Sequence, residues 1–524
     1  MDKFDSATQS ALMMDRRSLL VGASALGLTG LIAPISSMAQ DKPKKGGTLR
    51  MGLGGGTASD SLDPLAESDA VPFMIGYMLY NNLFEVADDG SVKGELVESW
   101  DVKPGAADWT LKLRNGVTFT SGKALDADDV IYSLNLHRGE TKSGAKVLLA
   151  DVTDIKKISA NQVQILMKNG NLDLPYNLCA PNFLIVPNGF KDWKNPNGTG
   201  AFTLEDFNPG VRASFKRKAG EFWKANRGNF DRVEVTYIND PTARVNALIS
   251  NQVDVINRVP ARTAALLSTN KNLVLSRSAG TGNRYGFAAQ TDKGLFANKD
   301  LLLSMKYGID RKKIVENVFS GYASVGNDHT VGAKMKFYDK SQALTSYDPD
   351  KAAFHFKKSG ITSPIELMVS DGAFNESADC GQIFQESLSK AGIKLELKRV
   401  SGDGYWDNVW MKVPFCATYW NNLPTVDIQL SRAFANGAAN SWNETRFDNA
   451  DFNRLMTSAR VEMDEKKRAQ MYAECQSIVR LESGLVCFAV ADYLDGASAK
   501  LKGLSISGRY DLADLRIPEK GWFA

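Results

Sequence analysis

Few residues of this 524-residue chain sit in patterns that could make or break a bond. His137, His329 and His355 stand far apart and outside any metal-ligand spacing, which argues against a histidine-built zinc or nickel site. No G-x-S-x-G elbow or H-E-x-x-H motif occurs, and no nucleophile can be matched with a base and an orienting acid. The expectation is a protein with no cofactor, no metal and no catalytic group. Cys179, Cys380, Cys416, Cys475 and Cys487 are odd in number and widely spaced, so they read as small buried hydrophobes. If one pair bridges, Cys475–Cys487 is the candidate on proximity alone. Residues suited to holding a molecule are more promising. Arg284, in the run Thr281-Gly282-Asn283-Arg284-Tyr285, can grip a carboxylate or phosphate with two N–H groups, or make a surface salt bridge. Trp420, in Tyr419-Trp420-Asn421-Asn422, offers a ring for stacking or for core packing. Trp406 and Trp410, four apart, can share one helix face, which is more often core than ligand stack. Asp379 near the start of a helix expected over Asn375–Leu388 can accept hydroxyl or cationic donors, or be a solvated first-turn carboxylate.

The elements that must position these groups belong to an ordinary globular chain. It is 43% hydrophobic, 23% charged and 9% aromatic, long enough for two or more lobes. Sixty-three basic and 60 acidic residues leave a net charge of +3, so no strong field points to nucleic acid or an acidic membrane. The N-terminus reads as an export signal over residues 1–39. Arg16-Arg17 precede an apolar run from Leu19 to Ile35, and Ser37-Met38-Ala39 fits a small-x-small cleavage site. The run DRRSLL resembles the twin-arginine export motif, although a Sec signal also carries basic residues there. Met14 offers an alternative start. No later stretch reaches membrane-spanning length, so the expected mature protein, 40–524, is soluble and periplasmic.

Trp109–Leu134 is the most legible stretch. Trp109, Leu111 and Leu113 alternate with Thr110, Lys112 and Arg114, the period of a half-buried strand. Asn115-Gly116 predicts a hairpin turn, with Val117 and Phe119 on a return strand. Asp126 predicts a helix N-cap, with Asp128 and Asp129 in the first turn. Farther on, 230–256 predicts strand, helix capped by Asp240, and short strand. The Gly54-Gly55-Gly56 run is not a phosphate cradle, since no Gly-Lys-Ser/Thr follows. Mixed short strands and helices without repeats or linkers imply an α/β protein with interwoven lobes.

The block Trp109–Ser133 resembles the signature of the bacterial extracytoplasmic solute-binding proteins of family 5, the dipeptide/oligopeptide/nickel-binding class of ABC importers. Trp109, Leu111, Leu113, Arg114, Gly116, Val117, Phe119, Gly122, Leu125, Ala127, Asp129, Val130, Tyr132 and Ser133 match in one register. Leu62-Asp63-Pro64, the 77–86 and 94–100 segments, the loop 197–202, the unit 230–255, 301–314 and 347–353 are similar to further family segments, in order.

The resemblance implies a two-lobed periplasmic-binding-protein fold with an enlarged first lobe, mixed sheets and a two-strand hinge. Carried over, residues 40–285 with 495–524 form lobe I and 286–494 lobe II, with crossings near Arg284–Gln290 and Val490–Asp495. It implies a monomeric receptor that captures a small polar solute and hands it to membrane permease subunits. Ligand contacts are then expected from Asn283, Arg284, Tyr285, Asp379, Trp406, Tyr419, Trp420, Asn421 and Asn422. Where peptide-binding members carry an aspartate for the peptide amine, this chain has Asn422 or Asn421. Where dipeptide binders carry an arginine for the carboxylate, near Asp379, it has none. An amide cannot give the same charge-assisted bond, so the expected solute is peptide-like, or an opine or sugar-phosphate conjugate, but not a plain dipeptide. The competing readings are a secreted hydrolase and a chemosensory or chaperone-like protein on the same fold.

Overall fold

The computed structural model describes residues 43–66, 69–402, 404–423, 425–435, 442–505 and 509–524. The expected export signal, 1–39, lies outside them. Three large sheets organise the chain. The first has seven strands in the order Leu273–Ser278, Tyr493–Ser498, Val255–Ile256, Thr48–Leu53, Arg232–Tyr237, Arg212–Arg217, Phe202–Asn208. The second is antiparallel, with Val97–Val102, Asp108–Leu113, Gln162–Met167 and Val152–Ser159. Both belong to the first lobe. The third holds six strands in the order Ala323–Val325, Leu485–Ala491, Arg284–Ala289, Phe415–Trp420, Ile365–Val369, Leu395–Arg399, and centres the second lobe.

Local sequence explains the small four-stranded sheet. Trp109, Leu111 and Leu113 are buried while Lys112 is exposed, as the alternation requires. Asp126 caps the helix Ala127–Asn135 through its side chain, and Asp129 returns a bond to the cap backbone, so both orphan amides are satisfied. The expected hairpin is a correction. Gly116 does turn the chain at φ 77°, but Val117–Phe119 form no return strand, only an isolated bridge between Thr118 and Ala124. Both edges of Asp108–Leu113 are already taken by Val97–Val102 and Gln162–Met167, so no edge remains for a hairpin partner. Val117 and Phe119 serve instead as buried plugs in that core.

The chain passes between the seven- and six-stranded sheets twice. It leaves the first sheet after Ser278 and enters the third at Arg284; it returns through Asp492, between Ala491 and Tyr493. Arg284–Ala289 therefore lies wholly in the six-stranded sheet, paired on both sides, and 279–283 joins it to the seven-stranded sheet. Strand direction then decides what faces the inter-lobe cleft. Thr48–Leu53, Arg232–Tyr237 and Val255–Ile256 are parallel and end on the hinge side, because Val255–Ile256 runs antiparallel to the hinge strand Tyr493–Ser498. Ile365–Val369, Leu395–Arg399 and Phe415–Trp420 are likewise parallel and end beside Arg284. The cleft is thus walled by two carboxyl edges of parallel strands, where open α/β sheets place their ligand loops.

All five cysteines are free and buried, so Cys475–Cys487 is not a bridge. No helix of the described residues is long and apolar enough to cross a membrane.

Candidate functional site

The second-lobe wall is built around Arg284. Its side chain is 1% exposed, yet among the described residues no carboxylate meets it: Nη1 donates to Gly282 O at 3.0 Å, while Nε and Nη2 find no partner among them. The Nη2 end of the guanidinium borders Gly332, where an added Cβ would stand 1.8 Å from Nη2 and 3.2 Å from Asn422 Oδ1. Burial pulls the Arg284 pKa down to about 10, against a small opposing pull from Tyr493 and Cys487. His329 shares this pocket; burial first, then the charge of Arg284, lowers its pKa to about 4. Asn422 Nδ2 donates to Thr281 O and ties the end of Phe415–Trp420 to the crossing segment. An unpaired, desolvated guanidinium with idle donors is costly unless an anion comes to it.

The other residues expected in the site divide into cleft and core. Asn421 and Asp379 are exposed at the carboxyl edge, the latter in the first turn of the helix Ser377–Ser389. Asn283 and Tyr419 are half-buried there. Tyr285 points the other way, its ring 5.4 Å from Phe319 and 4.6 Å from Phe374 in the second-lobe core. Trp420 is a strand residue and buried, its Nε1 donating to Glu444 at 2.7 Å. Glu444 also accepts from Trp410 Nε1 at 2.6 Å and Thr418 Oγ1 at 2.7 Å, so both indoles are pinned by one buried carboxylate. Trp406, on the short helix Tyr405–Asn408, is 38% exposed and meets Trp410 and Tyr419 edge to face at 5.5 and 5.6 Å. Of the tryptophans considered, Trp406 keeps the exposed ring.

Sequence reasoning missed the first-lobe wall. Arg258, just past Val255–Ile256, adopts φ 51° and grips Asp69 with Nη2–Oδ1 at 2.8 Å and Nη1–Oδ2 at 3.1 Å. Asp511 lies behind it, 3.6 Å from Arg258 Nε. Gly55 makes the approach possible: a Cβ there would meet Arg258 Nη1 at 2.5 Å. The glycine run was the available signal, since close approach to a side chain needs glycine as much as approach to a phosphate does. Tyr419 of the second lobe is near enough to feel the Asp69 charge, which joins burial in raising its pKa.

Among the described residues no group of three or more His, Cys, Asp or Glu could hold a metal ion. Ser143 and His137 do touch, at 2.6 Å, but each is 1% exposed inside the first lobe and off the cleft. The arrangement is suited to holding a polar, anionic molecule.

A family model for bacterial extracellular solute-binding proteins, family 5 (middle region), matches residues 91–442, more than half of the chain. The glutathione-binding protein GsiB of Salmonella choleraesuis (strain SC-B67) is 25% identical over 490 residues, covering 88% of this chain and 93% of the relative. The binding protein AgaA from A. tumefacien R10, solved with agropinic acid, superposes with a TM-score of 0.74 at 22% identity, covering 91% and 99%. The ABC transporter-associated periplasmic binding protein DppA of Helicobacter pylori, solved with the peptide STSA, gives 0.74 at 18% identity, covering 92% and 98%. All three are named as binding proteins, and nothing in them favours a hydrolase or a chemosensory or chaperone-like protein. The family match, extended by a relative along most of the chain, places this protein among the family 5 bacterial extracellular solute-binding proteins, the two-lobed receptors of ABC importers.

Proposed function

We propose that this receptor captures a small polar solute carrying an anionic group, with Arg284 as the anion's partner and Asn421 and Asn422 holding its neutral polar part. The observation that carries this reading is the buried Arg284 guanidinium with Nε and Nη2 unpaired among the described residues. Asn283, Tyr419, Trp406 and Asp379 complete the second wall, and Asp69 with Arg258 the first. Tyr285 and Trp420 support the site from the core. The ligands named for the relatives (glutathione, agropinic acid, a peptide) supply the panel for titration calorimetry, with an unmodified dipeptide added. Losing a buried charged hydrogen bond costs roughly 2–5 kcal/mol of binding energy, so Arg284→Ala should abolish tight binding of the anionic member while the fold persists. Tight dipeptide binding unchanged by Arg284→Ala would refute the assignment.

We further propose that the protein is exported through Arg16-Arg17, cleaved after Ala39, and acts as a periplasmic monomer delivering its solute to membrane permease subunits. The lobes then comprise about 43–282 with 492–524, and 283–491, following sheet membership. Replacing both arginines with lysine should leave precursor in the cytoplasm. Normal periplasmic accumulation would assign export to the Sec route instead.

A further inference from the structure

We propose that Asp173 and Arg468 form a closure latch: positioning residues that hold the lobes together over the cleft without touching the solute. Asp173 precedes the short helix Leu174–Asn177, on the first-lobe part built around the four-stranded sheet rather than on the sheet that carries the hinge strands. Arg468 stands on the second-lobe helix Glu465–Glu482. Arg468 Nη2 donates to Asp173 Oδ1 at 2.6 Å, with the two side chains 6% and 5% exposed. The contact is therefore nearly dry, and each lobe supplies one charge.

Each partner is held in place by its own lobe. Asp173 N donates to Asn171 Oδ1 at 2.8 Å, which fixes the turn that presents the carboxylate. Arg468 Nε donates to Ala459 O at 2.9 Å, and its guanidinium lies over the rings of Phe337 and Tyr472, at 5.1 and 5.6 Å. A main-chain bond runs beside the ion pair, from Leu172 N to Arg460 O at 3.0 Å. Arg460 is itself anchored inside the second lobe by Asp427 at 2.8 Å and Ser431 Oγ at 2.7 Å. Both cross-lobe contacts thus converge on the junction between the helices Ala450–Val461 and Glu465–Glu482.

The latch also borders the inter-lobe space. Asp173, Tyr176 and Arg509 from the first lobe and Phe337, Leu423 and Thr425 from the second line a narrow groove. Leu423 follows Asn422 directly, so the groove continues the proposed site. A pair split between lobes differs in kind from one within a lobe. When the lobes part, both charges regain water, so the contact opens without stranding a buried ion. Desolvation and Coulomb attraction nearly cancel in such pairs, which makes this one a reversible catch rather than a weld.

The test measures inter-lobe distance on the full mature chain, between labels at the exposed Lys156 of the first lobe and Lys357 of the second. Wild type is expected to populate a short distance that Asp173→Asn shifts to a longer one, with the solute-free unfolding midpoint unchanged. Arg468→Lys keeps the charge but not the planar fork and should give an intermediate distribution; it also serves if Asp173→Asn folds poorly. An unchanged distribution in both variants overturns the proposal. So does a fall in unfolding midpoint with no change in distance, which would mark an ordinary structural ion pair.

Discussion

Arg311 and Arg284 are both buried in the second lobe, at 2% and 1% exposure, and both lie near Cys487, yet they differ in how completely their donors are used. Arg311 Nη2 meets Asp328 Oδ1 and Oδ2 at 2.7 and 2.8 Å, Nη1 donates to Lys306 O and Thr345 O, and Nε to Cys487 O. Among the described residues Arg284 makes one bond, to a carbonyl two residues away. Burial alone therefore does not mark function; incompletion does. A fully satisfied buried cation is part of the scaffold, whereas one with idle donors is retained for a partner that the fold does not supply.

The largest effect is expected at Arg311. Arg311→Ala strands the Asp328 carboxylate, which is 0% exposed. Removing one member of a buried pair costs about 3–5 kcal/mol, so denaturant unfolding should show a loss of that size. A change under about 1 kcal/mol would mean the pair is not structural, and the contrast with Arg284 would fail.

The same contrast explains what the sequence made legible. Asp126 and its helix were readable because a cap is a local device whose partners lie within three residues. Val117–Phe119 form no strand because strand pairing is decided by which edges are free, and those edges are filled by Val97–Val102 and Gln162–Met167. Arg284 could be singled out as a charge in a polar run, but its missing partner is a property of the whole packed lobe. Tyr285 and Trp420, its neighbours in sequence or across the sheet, look equally suited to a ligand until side-chain direction sends them to the core. Asp69, Arg258 and Asp511 come from three distant segments, so no window of sequence contains that wall.

A middle-sized effect is expected at His329. Its folded-state pKa of about 4 lies below the ordinary 6.5 of an unfolded chain. Between those values the unfolded chain binds the proton and the folded chain does not, so stability is complete above about pH 7 and falls as pH drops through that window. One such group should cost about 2 kcal/mol between pH 7 and pH 5, at 1.36 kcal/mol per unit. His137, lowered to about 4 by burial, adds its own share. Unfolding free energy measured at both pH values should therefore show a steeper loss in wild type than in His329→Gln. Equal slopes would show that His329 is protonated, or solvated, in the folded protein.

The smallest effect is expected where the charge looks most dramatic. Arg284→Met keeps an unbranched apolar side chain of similar reach and removes the guanidinium, which among the described residues makes one bond and whose end borders Gly332. The lost hydrogen bond costs about 1 kcal/mol, and relief from burying an unpaired charge offsets it. Solute-free stability should therefore stay within about 1 kcal/mol of wild type, even as the anionic solute loses its partner. The variant also removes the positive charge that disfavours protonation of His329, so its stability should fall less between pH 7 and pH 5. A loss of several kcal/mol, like that expected for Arg311→Ala, would show that Arg284 is compensated within the fold. The case for an anion arriving from outside would then fall with it.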